Sequence, residues 1–394
     1  MVGMDRRAVI AVSALLVGCS SSSGRGTPDS SAPTDAATGH PADASRDQEV
    51  HRDSSSMTAT DAPATADAGW TCPTAPAPPV GAAITGLTLA NGWTNPQALA
   101  APVNTAGWED SSYISPDGTT LYFGYTQYDY SDLSAATPMI VADGPSRPGE
   151  TGPQFNIFEA TIQGGAWQVA ASSLNSTEAT ISEAAESVDE TQTLLAYVVY
   201  DSTAQYPGDI YLSHKTNGAW GTPELLPAPI NTPCIEDNTA LSADGKHLYF
   251  DSNRLDATGS SCNTSTGATA RTIYESTLGP EGWSAPTPVP GAPNEGTFHW
   301  QAYSLEPQSF FWAGSDSACG SSVVCLYSAP LLADGGYAPA TVFAQPVAEA
   351  AAQVGDAYIV GEVSFTCDGH YMYFAYAEKT ATGANLNIGV AEKQ

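Results

Sequence analysis

Three stretches decide the fold: Ser111-Ser-Tyr-Ile-Ser-Pro-Asp117-Gly-Thr-Thr-Leu-Tyr-Phe123, Asn238-Thr-Ala-Leu-Ser-Ala-Asp244-Gly-Lys-His-Leu-Tyr-Phe250 and Val363-Ser-Phe-Thr-Cys-Asp368-Gly-His-Tyr-Met-Tyr-Phe374. Each reads as strand, tight acidic turn, strand. Gly accepts the positive φ that the turn needs, and Asp bonds back to nearby backbone. The apolar and aromatic alternation that follows is the signature of a buried strand. Weaker copies run from Glu186 through Asp189 to Tyr197, and from Tyr303 through Glu306 to Trp312.

A second element follows each copy: Asn156-Ile-Phe, Asp209-Ile-Tyr, Thr272-Ile-Tyr, Cys325-Leu-Tyr and Asn387-Ile-Gly. A third joins a turn to an aromatic residue: Gly165-Ala-Trp167, Gly218-Ala-Trp220, Glu281-Gly-Trp283 and Gly335-Gly-Tyr337. The last copy lacks this piece, and Asn91-Gly-Trp93-Thr-Asn-Pro96 supplies it at the front. Five units of four strands, with the outermost strand of the last unit lent by the N-terminal part, describe a closed ring. The expected fold is therefore all-β: a five-bladed β-propeller whose N-terminal strand, within Leu87–Ala98, closes the last blade. An open β-sandwich is the competing fold.

The repeat residues, Ser-Pro-Asp-Gly-x-x-Leu-Tyr-Phe, then Asp-Ile-Tyr, then Gly-x-Trp-x-x-Pro, resemble the PD40 type of WD40-like repeat, which also builds the propeller half of TolB. The resemblance covers nearly all of residues 87–394. It implies a periplasmic scaffold that binds a peptide at the channel mouth. Nothing here resembles TolB's separate α/β domain.

Upstream of the repeats, Arg6 and Arg7 precede an apolar run from Ala8 to Val17, which ends in Gly18-Cys19. This reads as a secretory signal, too short to span a bilayer. It resembles a bacterial lipoprotein signal, which implies cleavage after residue 18, lipidation of Cys19 and an anchor in the cell envelope. Ser20 then suggests outer-membrane sorting. Residues 19–68 are rich in Ser, Thr, Asp, Ala and Pro, with almost no large apolar residue. Such a segment cannot offset its chain entropy and reads as a disordered linker. The expected organisation is signal peptide 1–18, linker 19–68 and propeller 69–394.

The formal net charge is −30, from 12 Lys+Arg against 42 Asp+Glu. Such a surface repels phosphates, so nucleic acid is discounted as a partner and a monomer is expected. Setting Cys19 aside leaves six cysteines. In an exported chain this suggests disulfides. Cys319 and Cys325 flank a short turn, Cys234 and Cys262 fall within one repeat, and Cys72 and Cys367 pair by elimination. No CxxC or HxxxH spacing points to zinc.

Propellers place ligands at the axial channel, near the loops that lead into the innermost strands. Glu109, Glu183, Glu236 and Glu362 recur there, with Asp110 and Asp237 beside the first and third. Three readings compete: a structural role for a residue that recurs in each unit, a cation site favouring Ca2+ though no other cofactor is expected, and a carboxylate pair for glycoside hydrolysis. Blade 4 differs, with His299 and Trp300 in place of the acids. Tyr125, Tyr128 and Tyr130 form a candidate contact surface in a blade 1 insertion. The first functional expectation is non-catalytic binding of a peptide, envelope protein or glycan at the mouth. The second is a glycoside-acting enzyme.

Overall fold

The computed structural model describes residues 71–129, 139–140, 154–178, 180–204, 208–263, 271–295, 299–305, 309–320, 324–333 and 335–394. The signal segment 1–18, Cys19 and the linker 19–68 lie outside the described residues, as do Tyr130, Glu306 and Pro307.

Five sheets of four or five strands, each antiparallel, form the blades of a propeller. The innermost strands are Trp108–Ile114, Ile181–Val188, Glu236–Leu241, His299–Leu305 and Ala357–Phe365. Their partners Thr120–Thr126, Leu194–Asp201, His247–Ser252, Ser309–Gly314 and Tyr371–Lys379 follow the turns read in the sequence. Side chains on both faces of these strands are covered by neighbouring blades. That explains the near-continuous burial of Leu121, Tyr122, Phe123 and of Leu248, Tyr249, Phe250.

The ring closes as the displaced repeat requires. Gln97–Leu99 pairs with Ala384–Glu392 through Gly389↔Ala98 and Val390↔Gln97, and Trp93 bridges Lys393. Two details differ from expectation. Val80–Ala83 adds a fifth strand outside Gln97–Leu99. Leu87–Leu89 pairs with Thr341–Pro346 of blade 4, not with blade 5. The N-terminal segment thus bridges two blades, and the disulfide Cys72–Cys367 fastens its start to the turn of blade 5. The other bridges are Cys234–Cys262 and Cys319–Cys325.

A device absent from the sequence reading recurs in four blades. An Asn side chain brackets one Ile of the third strand, its amide accepting from the Ile N–H and donating to the Ile carbonyl at 2.8 Å each way. The pairs are Asn175–Ile157, Asn231–Ile210, Asn294–Ile273 and Asn104–Ile388. Each satisfies backbone groups where the strand pairing gives out.

Candidate functional site: carboxylates at the propeller axis

Each inner strand carries a β-bulge at one level, between Asp110 and Tyr113, Ala184 and Ser187, Asp237 and Ala240, Trp300 and Tyr303, and Gly361 and Ser364. In four blades the residue after the first of these takes a left-handed backbone: Ser111 (φ 52°), Asn238 (φ 52°), Gln301 (φ 55°) and Glu362 (φ 50°). That conformation costs a non-glycine residue about 1–2 kcal/mol. The bulge turns its amide toward the preceding blade, where partners repay the cost. Ser111 N donates to the Glu362 carboxylate, Glu362 N to Gln301 Oε1 at 3.1 Å, and Gln301 N to Asp251 Oδ2 at 3.2 Å. Gln301 Nε2 also donates to Glu362 Oε1 at 2.8 Å. A continuous belt therefore joins blades 3, 4, 5 and 1.

The bulges sort the candidate residues into levels. Glu109, Glu183 and Glu236 share one level, with Val360 rather than Glu362 at that place in blade 5. They are buried and turn to the loop before their own strand. Glu109 Oε1 accepts from Thr105 N and Oγ1 at 3.2 and 2.7 Å, and Glu183 Oε1 from Ser176 N at 2.7 Å. Glu236 accepts from Thr232 N and Oγ1, both at 2.8 Å, and meets Arg254 Nη2 at 2.9 Å with both side chains at 0% exposure. His299 opens the strand of blade 4, and its side chain lies outside the described residues. Counting back from the turn aspartates misplaced Glu362. Asp189 stands where the other turns carry Ser115, Ser242 and Thr366, accepting from Thr193 N and Leu194 N as Ser242 Oγ accepts from Lys246 N and His247 N. The count from Asp189 is thus two residues shorter than from Asp117 or Asp244.

Asp110 and Asp237 share the next level, on blades 1 and 3. Both are almost buried, at 5% and 4% exposure. Their surroundings differ. Asp237 Oδ2 meets Arg271 Nη1 at 2.5 Å, and Tyr200 donates its hydroxyl to Asp237 Oδ1. Arg271 also meets Asp251 at 2.6 Å, and the two carboxylates hold its guanidinium firmly charged. Asp110 has no cation beside it. Burial pushes its carboxyl above the ordinary value, against the lowering effect of a hydrogen bond with Glu362. Burial raises Glu362 further, and Asp110 adds to the shift. Asp110 and Glu362 form a coupled pair that favours holding a proton. Trp300, at the same level in blade 4, is buried between blades with Trp108 and Ala313 and offers no face to the mouth.

Below this level a small axial cavity is lined by Glu186, Glu362, Ser111, Asn238, Thr239 and Gln301. Tyr113 and Tyr303 floor it, with ring centroids 5.9 Å apart. Their hydroxyls donate to the carbonyls of Val188 and Phe365 at 3.0 and 3.4 Å. The water-sized space is about 40 Å3, far below a sugar ring, so any glycan sits above it at the level of Asp110 and Asp237.

Sequence reasoning missed Glu186, Asp251, Arg271 and Gln301. Arg271 carried a signal, as one of only 12 Lys+Arg in the chain, set directly before the Thr272-Ile-Tyr strand. Tyr125 is not a contact residue: it is 1% exposed and packs edge-on against Phe158 at 5.3 Å.

No known protein family matches the chain, and no curated protein matches it. The resemblance to PD40 and TolB therefore rests on the repeat residues alone. Solved structures of similar fold include the catalytic domain of a GH62 α-L-arabinofuranosidase from Coprinopsis cinerea, at 11% identity and TM-score 0.45, covering 75% of this chain and 94% of that one. A xylan β-1,4-xylosidase from Bacillus halodurans C-125 is similar at 13% identity and TM-score 0.44, over 74% of this chain and 53% of that one. A prolyl endopeptidase chain is similar at 12% identity and TM-score 0.36, over 79% of this chain and 46% of that one. The first functional expectation is corrected here. The structures of similar fold are mostly described as glycoside hydrolases, which favours the second expectation, a glycoside-acting enzyme, over the first. Likeness at these levels shows the fold alone. The reaction has to be argued from the carboxylates.

Proposed function

We propose that the chain is a glycoside-acting enzyme whose working pair is Asp110 and Asp237. One observation supports this most directly: two aspartates at the same level of two inner strands sit in opposite electrostatic settings. Asp110 is desolvated, lacks a cation and lies beside Glu362, and burial raises both carboxyl groups above their ordinary values. Asp237 is held by Arg271 and Tyr200. Environments that separate two carboxyl groups in this way divide the roles of acid and base. Asp110 then gives a proton to the glycosidic oxygen. Asp237, held by Arg271 and Tyr200, faces the developing oxocarbenium charge or activates a water. Tyr200 and Arg271 fix its orientation, and the belt through Gln301 and Asp251 holds the two blades at constant spacing.

Export and a lipid anchor at Cys19 fit this reading. Three disulfides suit an oxidising compartment, and the Leu16-Val17-Gly18-Cys19 box supplies the tether.

The test is a panel of chromogenic glycosides, beginning with α-L-arabinofuranosides and β-xylosides, the substrate types of enzymes of similar fold. Asp110→Asn and Asp237→Asn should each lower turnover by about 10²-fold or more while circular dichroism stays unchanged. No turnover across the panel, or turnover indifferent to both substitutions, would overturn the proposal.

A further inference from the structure

We propose that a crevice between blades 3 and 4, away from the axis, binds one neutral sugar residue through the Trp312–Tyr327 ring pair, the indole N–H of Trp312 and the carboxylates of Asp316 and Glu295. The site shares no residue with the mouth and holds whether or not sugars are turned over there.

The fold sets the place. Trp312 and Tyr327 are cross-strand partners in the second and third strands of blade 4, and their rings stack at 5.7 Å and 16°. They pack toward blade 3, in one cluster with Tyr249, Ile273 and Val289. The turn Ala292–Asn294 and Glu295, which link the two blades, contribute the other wall. Gly314 also lines the crevice and pairs with His299, the first residue of the inner strand, so the crevice lies at the mouth end of the blade. Neighbouring strands are about 5 Å apart, which puts it roughly 5–10 Å outward from the inner strand.

Three polar groups lining it are unused. Trp312 is 3% exposed and lines the crevice, yet its indole N–H has no acceptor among the described residues. Asp316 Oδ1 accepts from Ala318 N at 2.7 Å, from Cys319 N at 3.2 Å and from the Tyr327 hydroxyl. Those bonds fix the carboxylate and leave Oδ2 without a partner among the described residues. The exposed Glu295 carboxylate makes no bond among them either. The lining contains no Lys or Arg.

That set selects the ligand. It must accept a hydrogen bond from the indole and donate to both carboxylates. An ammonium or guanidinium group accepts none, and a carboxylate or phosphate ion donates none and meets two like charges. Sugar hydroxyls do both, and the C–H groups of the ring suit an aromatic floor. The crevice holds about 170 Å3 of water-sized space, against about 40 Å3 on the axis, which is enough for one sugar ring.

The test is saturation-transfer NMR on the full chain with xylose, arabinose, glucose, galactose and mannose, and with glucosamine and glucuronate as charged counterparts. At least one neutral sugar should give a saturable signal that outlasts Asp110→Asn/Asp237→Asn. Trp312→Phe keeps a ring and removes the N–H. Asp316→Asn keeps Oδ1 for its three donors and replaces Oδ2. Each should weaken binding about tenfold. If Trp312→Phe does not fold, Asp316→Asn and Glu295→Gln at the exposed rim decide. No signal from any neutral sugar, a signal indifferent to these substitutions, one lost with the mouth aspartates alone, or tighter binding of glucosamine or glucuronate would each overturn the site.

Discussion

Gln97, near the start of the folded chain, pairs antiparallel with Val390, four residues from its end. This contact covers the edge of the Ala384–Glu392 strand and makes the N-terminal segment part of the sheet of the last blade. The mouth depends on it, because Glu362 of blade 5 and Asp110 of blade 1 meet across the seam between the two blades.

Removing residues 70–99 should therefore do more than shorten the chain. It uncovers the Ala384–Glu392 strand, whose residues are nearly all buried, and an exposed apolar strand edge is an aggregation site. The truncated protein should aggregate on size-exclusion chromatography while the full chain elutes as a monomer.

The disulfide Cys72–Cys367 holds the same seam over a sequence separation of 295. Replacing both cysteines with serine should cost about 2–5 kcal/mol of stability. Denaturant titration measures it, and Cys319→Ser/Cys325→Ser, which opens a separation of only 6, should cost less.

Arg254 and Glu236 meet at 2.9 Å with both side chains at 0% exposure. Arg254→Met leaves a buried, uncompensated carboxylate and should destabilise by about 3–5 kcal/mol. The double variant Arg254→Met/Glu236→Gln should recover part of that loss in the same titration.

Stability should be highest in mildly acidic buffer. Glu186 and Glu362 are pushed well above their ordinary 4.5 by burial, and burial lifts Asp251 from 3.8 to about 6. The folded state then keeps protons that the unfolded chain has released. This contribution is complete below those ordinary values and is lost as pH rises through 6 and beyond. Asp117, Asp244 and Asp368 act in the other sense. Hydrogen bonds in their turns lower them below 3.8, so their contribution is lost as pH falls beneath that value. At constant ionic strength the thermal midpoint should peak near about pH 4–5 and decline toward pH 8. Glu362→Gln should flatten the alkaline decline.

The repeat and its closure were legible because their signals are local. Asp117-Gly118, Asp244-Gly245 and Asp368-Gly369 mark tight turns, and the aromatic alternation after them marks strands covered on both faces. The displaced Trp93 element revealed the ring. The mouth was legible only in part, because the bulges leave no mark in sequence. Ser111, Asn238, Gln301 and Glu362 share one backbone conformation but no side-chain chemistry, and none is glycine. Glu109, Glu183 and Glu236 drew attention by recurring, and recurrence here reflects a bond each makes to its own loop. Asp251 and Arg271 lie on other strands of blade 3, and only folding brings them beside Asp237.

A crystal structure of the chain soaked with a hydrolysis product of its best chromogenic substrate tests the working pair most directly. The sugar's anomeric carbon should lie between the carboxyl groups of Asp110 and Asp237, with its anomeric hydroxyl within hydrogen-bond reach of one of them. A sugar bound away from both aspartates, or an empty mouth at saturating product, would contradict the assignment.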